Sequence, residues 1–236
     1  MHDQVVRVFP HLNIDVDMVL RGQGADPAVI RKRRPRLVEL AEQALEEGMG
    51  LIEPTATYRI LPVEKMSHER LVLAENIKLA GSLLAENLGC AEQIAFLVCT
   101  LGAKLENRVT ALMPENPSLA FALDGFGSMA AEALGLAICA ELEVEARASG
   151  LFTSVPLNPG MIGWSVDVGQ PQIFTAIDAA RIGVKLNESS QMVPHKSVSM
   201  ILGISQTPFS AGRPCDFCSM KETCRYQNRE TSFGSK

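Results

Sequence analysis

The segment Gln93-Ile94-Ala95-Phe96-Leu97-Val98-Cys99-Thr100 is a nearly continuous apolar run with the length of a β-strand. Runs without polar alternation are typical of strands that are buried on both faces of a sheet. The run leads directly into Leu101-Gly102 and a predicted helix over residues 103–113. We therefore predict a central strand with other elements packed against both faces of its sheet.

Helical patterns lie on both sides of this strand in the sequence. Residues 37–48 place apolar side chains at helical spacing and end in a glycine. The longest helical pattern runs from residue 117 to about residue 148 and contains Gly125 and Gly127. Glycines inside a helix usually permit close packing, and we interpret these two in that way.

The remaining segments are shorter. Residues 50–75 have extended character, with breaks expected at Pro54 and Pro62. Further strands are predicted over residues 5–9, 71–73, 182–186 and 197–204, and further helices over residues 15–21, 78–88 and 170–180. Helices and strands alternate without a regular βαβ rhythm, so the sequence predicts an α+β fold, a mixed sheet flanked by helices.

Length and composition exclude several classes of protein. The chain has 236 residues, of which 47% are apolar and 21% charged, and this composition is typical of a folded globular protein. A net charge of −5 argues against non-specific binding to nucleic acid. The first residues lack the pattern of a signal peptide, and no apolar run approaches the roughly 20 residues that span a membrane. We expect a cytoplasmic protein that binds neither membranes nor nucleic acid.

We expect three regions along the chain. Residues 1–60 form a helical and extended subregion packed on the main α+β domain of residues 61–211. Residues 212–236 form a cysteine-rich segment and tail. The sequence also contains a basic cluster, Arg31-Lys32-Arg33-Arg34 with Arg36 beyond it. We interpret this cluster as a solvated face, because acidic residues nearby in the sequence balance it: Glu39, Glu42, Glu46 and Glu47.

The cysteine segment carries the strongest local chemical signal. Cys215, Cys218 and Cys224 lie within ten positions, and a Cys-x-x-Cys pair lets two thiolates reach one metal from a tight turn. Three thiolates suit an iron–sulfur cluster, whereas structural zinc normally takes four protein ligands. The candidates for a fourth ligand are Cys99, Cys139, His195, a second subunit of a homo-oligomer and a small molecule. We expect the other cysteines, Cys90, Cys99 and Cys139, to be small buried hydrophobes, with Cys99 a candidate exception.

Three further segments together resemble a known family, the reactivation domain of cobalamin-dependent methionine synthase and its short stand-alone relatives. The segments are Leu123-Asp124-Gly125-Phe126-Gly127-Ser128-Met129-Ala130-Ala131-Glu132-Ala133, Asn158-Pro159-Gly160-Met161-Ile162-Gly163-Trp164 and Met192-Val193-Pro194-His195-Lys196-Ser197-Val198-Ser199. The short relatives also look similar through Val98-Cys99-Thr100-Leu101-Gly102 and the cysteine segment. The resemblance covers roughly residues 60–226.

The resemblance implies an S-adenosylmethionine site in a shallow groove of an α+β fold. In that family the bound ligand presents its methyl group to cob(II)alamin, while an electron donor reduces the cobalt. The residues that the resemblance places at this site are Asn158, Pro159, Gly160, Met161, Trp164, Pro194, His195, Lys196 and Ser197. The only tryptophan, Trp164, lies in the Pro/Gly segment, where it either packs under the loop or stacks on a ligand.

One position departs from the family pattern. Family members carry Arg-x-x-x-Gly-Tyr, whereas this chain has Pro156 at the arginine position and Met161 at the tyrosine position. An arginine would hold the ligand carboxylate through paired charge-assisted hydrogen bonds, which proline cannot form. Arg181 and Lys196 are candidate substitutes.

Two functions follow from the sequence. In the first, the protein assists a corrinoid protein or cobalamin-dependent methyltransferase, binds S-adenosylmethionine or a related ligand, and delivers an electron to cobalt through an iron–sulfur centre. In the second, it is a non-catalytic adaptor that uses a structural zinc site to dock on such a partner. The chain lacks the Asp-x-His-x-x-Gly motif of corrinoid carriers, so we expect the partner to carry the cobalamin. A self-contained methyltransferase is a third alternative, but the sequence contains no recognisable site for a methyl acceptor.

Overall fold

The computed structural model describes residues 3–224, which form seven α-helices and nine β-strands. The helices are α1 (Val16–Gly22), α2 (Pro27–Arg33), α3 (Pro35–Met49), α4 (Ser82–Asn87), α5 (Lys104–Leu112), α6 (Pro117–Ala148) and α7 (Val166–Ala176). The strands are β1 (Val5–Val8), β2 (Thr55–Ser67), β3 (Arg70–Leu73), β4 (Lys78–Ala80), β5 (Gln93–Thr100), β6 (Phe152–Thr153), β7 (Lys185–Leu186), β8 (Met192–Val193) and β9 (Ser197–Ser205). Three short 3-10 helices are Ala74–Asn76, Ala179–Ile182 and Pro214–Phe217.

Seven of the strands form one sheet in the order β4-β3-β2-β5-β9-β6, and β1 pairs with β2 beside this path. Strands β7 and β8 form a separate two-stranded sheet. Every strand pair within residues 3–224 is antiparallel. The predicted α+β class is therefore confirmed, with an antiparallel sheet and helices on both of its faces.

Strand β5 lies at the centre of the sheet, between β2 and β9. Its side chains alternate between two cores, because successive residues of a strand point to opposite faces. Ala95, Leu97 and Cys99 join the core on the α6 side, and their neighbours Phe96 and Val98 join the core on the α7 side. All five are fully buried, which confirms the predicted two-sided strand.

Helix α6 packs against the sheet and against α1 with very little space between the elements. A Cβ atom added to Gly22 of α1 would lie 2.2 Å from the Gly125 carbonyl oxygen of α6. One added to Gly135 would lie 2.7 Å from the Met200 side chain of β9. These contacts support the packing interpretation of the α6 glycines, since only a missing side chain lets the backbones approach so closely.

Among the helices that the structure describes, α6 alone is long and apolar enough to cross a membrane. Of its most apolar stretch, 61% is buried inside the protein. A core helix of a folded domain has the same length and composition, and the burial of α6 is that of a core helix.

Three predicted boundaries are wrong. The helix predicted over residues 78–88 is β4 followed by the shorter α4, because Leu71 of β3 pairs with Leu79 and draws that segment into the sheet. The helix predicted over residues 170–180 is α7, which ends at Ala176. The strand predicted over residues 182–186 is only the two-residue β7 (Lys185–Leu186), because a 3-10 helix ends at Ile182 and a turn follows it. Such short apolar segments cannot be assigned from periodicity alone.

Pro62 does not break the extended segment, because β2 runs through it without interruption. The next residue, Val63, donates its N–H to the Glu92 carbonyl at 2.8 Å, so the nitrogen of Pro62 points to the opposite edge of β2. On that edge β1 pairs only with residues 55–58 and β3 only from residue 63 onward. A proline is tolerated at such an unpaired position.

The three-region division stays a prediction. Strand β2 crosses the boundary placed at residue 60, and α1 and α3 contact α6. Residues 225–236, which include nearly half of the predicted region 212–236 and the end of the family resemblance, lie outside the described residues.

Candidate functional site

The tertiary structure joins two of the three family-like segments through Lys196, which precedes β9. The Lys196 ammonium lies 2.7 Å from Asp124 Oδ1 and donates to Ser128 Oγ at 3.0 Å. Both partners belong to α6, where they are one turn apart. The aliphatic part of Lys196 crosses Gly127, whose Cβ position would lie 3.0 Å from Lys196 Cε. The side chain of Lys196 is only 13% exposed, so this ion pair is shielded from solvent on the lysine side.

The remaining family-like segment, residues 158–164, also contacts β9. Asn158 donates its side-chain amide to the Ser199 carbonyl of β9 at 3.1 Å, and Leu157 forms a β-bridge with Ile201. The buried Ser199 hydroxyl donates to Gln170 Oε1 of α7 at 2.9 Å. Strand β9 is therefore the element that brings all three segments together.

Residues 158–164, which we call the Pro/Gly loop, form a tight and partly exposed turn. The Gly160 N–H donates to the Trp164 carbonyl at 2.7 Å, and the Trp164 N–H donates to the Met161 carbonyl at 3.0 Å. Gly160 and Gly163 adopt φ values of +99° and +88°, a left-handed region that residues with side chains rarely occupy. Gly160 is exposed, and its Cβ position lies 3.2 Å from the Val166 side chain.

Trp164 lies beneath the Pro/Gly loop and is only 1% exposed. Its indole N–H donates to Gln172 Oε1 of α7 at 3.1 Å. Gly81 and Gly169 both abut the ring, and added Cβ atoms would lie 3.0 Å and 2.8 Å from it. Of the two alternatives left open by the sequence, the structure supports packing under the loop, because no face of the ring is open to a ligand.

The turn before β9 is held by polar contacts. The His195 N–H donates to Glu106 Oε2 of α5 at 2.7 Å, whereas the His195 imidazole is 66% exposed. The buried Ser197 hydroxyl lies 2.7 Å from the Pro194 carbonyl and 2.8 Å from Thr100 Oγ1 of β5. Pro194 and Ser197 therefore fix the turn, and only His195 presents a side chain to solvent.

Both candidate substitutes for the family arginine already have carboxylate partners. Lys196 pairs with Asp124, as described above, and Arg181 lies 3.7 Å from Asp178 Oδ2. Pro156, at the arginine position itself, is buried. The half-exposed Arg181 is the more accessible of the two cations.

The cysteine segment packs directly on the Pro/Gly loop. The Ile162 N–H donates to the carbonyl of Phe217, which lies between Cys215 and Cys218. Within the segment, the Met220 N–H donates to Cys218 Sγ at 3.4 Å, and the Cys224 N–H donates to the Met220 carbonyl at 2.8 Å. All three thiols are partly exposed. The donor chemistry suits a thiophilic metal, but no group of three or more metal-ligating side chains converges within residues 3–224.

The remaining cysteines lie elsewhere. Cys99 and Cys139 are fully buried in the core between β5 and α6, and the Cys139 and Met200 sulfur atoms are 3.6 Å apart. Burial raises the pKa of Cys99 to about 12, so the structure gives no support to Cys99 as a fourth metal ligand. Cys90 lies in the turn between α4 and β5 and is exposed, so the prediction that it is buried is wrong.

Glu132 lies on α6 one turn beyond Ser128, and burial raises the pKa of its carboxyl group. We expect Glu132→Gln to stabilise the protein at pH 7 and to have little effect near pH 4. A raised pKa means that the folded state holds the proton more tightly, so stability falls as pH rises above the unfolded pKa. The measurement is urea unfolding at both pH values, with the exposed Glu141→Gln on the same helix as the control. Equal effects of Glu132→Gln at both pH values would contradict this assignment.

Sequence reasoning missed the residues that hold these segments in place. They are Asp124 and Ser128 beside Lys196, Glu106 beside His195, Gln172 beside Trp164 and Phe217 beside Ile162. For Asp124 and Ser128 the sequence did indicate that both lie on one face of a helix, because they are four residues apart. The other contacts join residues whose relative positions depend on the packing of separate elements.

Comparison with known proteins gives a structural match and no sequence match. Neither a protein-family model nor a curated protein sequence matches the chain. A crystal structure of the MetH reactivation domain bound to AdoHcy superposes with a TM-score of 0.64. The match covers 86% of this chain and 78% of that domain, at 12% sequence identity. The chain therefore shares the fold of that reactivation domain, which confirms the fold implied by the sequence resemblance.

Proposed function

We propose that this protein binds S-adenosylmethionine or a related S-adenosyl ligand and assists the reactivation of a cobalamin-dependent methyltransferase. The observation that carries the proposal is the likeness of its fold to a reactivation domain that binds AdoHcy. The proposal is also supported by the contacts of the three family-like segments, which meet at β9. The resemblance implies that these segments form one site, and such a site requires that they meet.

The Pro/Gly loop is the proposed ligand contact. Its exposed Gly160 allows a ligand to approach the backbone directly, and the positive φ values of Gly160 and Gly163 hold this shape. The buried Trp164 supports the loop from below instead of stacking on the ligand. With Pro156 in place of the family arginine, the half-exposed Arg181 is the proposed partner of the ligand carboxylate.

Gly163→Ala is expected to weaken AdoHcy binding at least about tenfold in a calorimetric titration. The added Cβ would lie 2.4 Å from Ser82 Oγ at a φ of +88°, so the loop must change shape. Gly150→Ala is the matched control, because Gly150 also has a positive φ of +73° but has open space around it. Equal affinity in Gly163→Ala and the wild type would place the ligand elsewhere, and no binding by the wild type would reject the proposal.

The partner is proposed to be a corrinoid protein or cobalamin-dependent methyltransferase that carries the cobalamin. Methylation of cob(II)alamin by S-adenosylmethionine requires one electron from a separate donor. An iron–sulfur centre held by Cys215, Cys218 and Cys224 would supply that electron, and the donor types suit such a centre. The Ile162–Phe217 hydrogen bond supports this location, because it attaches the cysteine segment to the proposed ligand loop.

Metal analysis of the anaerobically purified protein tests this part of the proposal separately. Iron and sulfide with visible absorption, both lost in Cys215→Ser and Cys218→Ser, are expected. The control is Cys90→Ser, because Cys90 is an exposed thiol outside the segment. Zinc lost in the same two variants would favour the adaptor function instead. Absence of both metals would reject a metal centre and leave the S-adenosyl ligand proposal to its own titration.

A further inference from the structure

A cleft of about 560 Å³ lies where the end of α2, the start of α3 and the start of α6 meet. Three arginines, Arg33, Arg34 and Arg36, line it. All three are exposed, and Leu37 and Leu40 form an apolar, half-buried part of the wall. The basic cluster of the sequence is therefore concentrated around a concave site.

Nearby carboxylates neutralise the positive charge of the basic cluster only in part. Glu47 pairs with Arg108 of α5 at 2.5 Å, so it is not available to the cluster. Asp17 neutralises Arg31 at 2.6 Å, but Arg31 does not line the cleft. Within residues 3–224, none of the three cleft arginines forms an ion pair. Three positive charges thus share one cleft in a protein whose net charge is −5.

The amino-terminal end of α6 adds a further positive contribution. Asn116 caps this 32-residue helix by accepting from the Leu119 N–H at 3.2 Å, and both Asn116 and Ser118 line the cleft. The first turn of a helix carries N–H groups without helical partners and the positive end of the helix dipole. The Ser118 hydroxyl is a further donor at the same place.

We propose that this cleft binds a small molecule that carries a diphosphate group. Guanidinium groups form paired hydrogen bonds with phosphate oxygens, and three of them match the several charges of a diphosphate. The cleft volume is that of small-molecule sites, and Leu37 and Leu40 offer an apolar surface to an organic group. Nucleic acid fits less well, because a protein with a net charge of −5 is poorly suited to follow an extended phosphate backbone.

Calorimetric titration of the purified full chain with inorganic pyrophosphate and with ADP tests this proposal. One saturable site is expected, and the triple variant Arg33→Gln/Arg34→Gln/Arg36→Gln should bind at least about 100-fold more weakly. Tighter binding of ADP than of pyrophosphate would show that the site takes an organic diphosphate whose organic group contacts the apolar wall. Equal binding assigns the site to the diphosphate group alone.

The matched control is Lys65→Gln/Arg70→Gln/Lys78→Gln, which removes the same charge from exposed positions on β2, β3 and β4. It should bind within about twofold of the wild type. If the triple arginine variant does not fold, Arg36→Gln alone should weaken binding about tenfold. Three results would overturn the proposal: no saturable binding, equal weakening in both triple variants, or tighter binding of a single-stranded oligonucleotide than of ADP. S-adenosyl ligands carry no phosphate, so this outcome is independent of the function proposed above.

Discussion

Replacement of Trp164 by alanine is expected to lower the free energy of unfolding by about 3–5 kcal/mol, as is typical of large-to-small substitutions at fully buried aromatic residues. Trp164 is 1% exposed and belongs to the core on the α7 side of the sheet. The substitution also removes the hydrogen bond from the indole N–H to Gln172. Gly81 and Gly169 contact the indole ring, and their backbones would have to move to fill the cavity that alanine leaves.

Urea unfolding followed by circular dichroism measures this effect. Ile162→Ala, in the same loop but 60% exposed, is the matched control and should change stability by about 0.5 kcal/mol or less. Trp164→Phe should lose less than the alanine variant, since it keeps most of the buried ring. A loss below about 1 kcal/mol for Trp164→Ala would contradict a supporting role for the indole. If Trp164 supports the Pro/Gly loop, AdoHcy binding should weaken in step with stability across the two variants.

Gly22→Ala is the second substitution with a large expected effect, a loss of about 3 kcal/mol in the free energy of unfolding. The added methyl group would lie 2.2 Å from the Gly125 carbonyl oxygen and 2.7 Å from its carbonyl carbon. Both are backbone atoms, so the conflict cannot be relieved by a side-chain rotation. Helix α1 must move away from α6, which opens the core that the two helices share.

Gly50→Ala is the control for this prediction. Gly50 follows α3 at a φ of −78°, and its Cβ position lies 3.5 Å from the Glu47 carbonyl, an ordinary contact. We expect a small stabilisation of about 0.4–1 kcal/mol, because alanine restricts the unfolded chain more than glycine does. Urea unfolding compares the two variants directly. Equal stability of Gly22→Ala and the wild type would show that α1 and α6 do not approach as closely as described.

Local pattern was enough to predict much of the fold. The apolar run of β5 indicated a strand buried on both faces, and its alternation between two cores confirms that prediction. The glycines of α6 indicated close packing, which Gly22 and Gly125 show. Pattern failed in two segments of the sheet. The strand β4 and the continuous β2 through Pro62 both depend on which neighbouring strand pairs at a given position.

The site was predictable in part. Family-like segments marked the Pro/Gly loop and the turn before β9, but sequence alone left the role of Trp164 open between packing and ligand stacking. Burial against α7 supports packing. Sequence also suggested Lys196 as a substitute for the missing arginine, whereas the structure pairs it with Asp124. Electrostatic partners of this kind lie 72 residues apart in the chain, so no local spacing reveals them.

The amino-acid sequence by itself determined the α+β class, the central strand and the positions of the Pro/Gly loop and the cysteine segment. These features depend on hydrophobic periodicity, on the conformational preferences of glycine and proline, and on the close spacing of three cysteines, all of which act over a few residues. The tertiary structure decided which of them meet. It placed the cysteine segment on the Pro/Gly loop, paired Lys196 with α6 and brought the start of α6 beside Arg33, Arg34 and Arg36 to form a cleft. Such contacts arise from the packing of distant elements around two cores, and local sequence does not encode that packing.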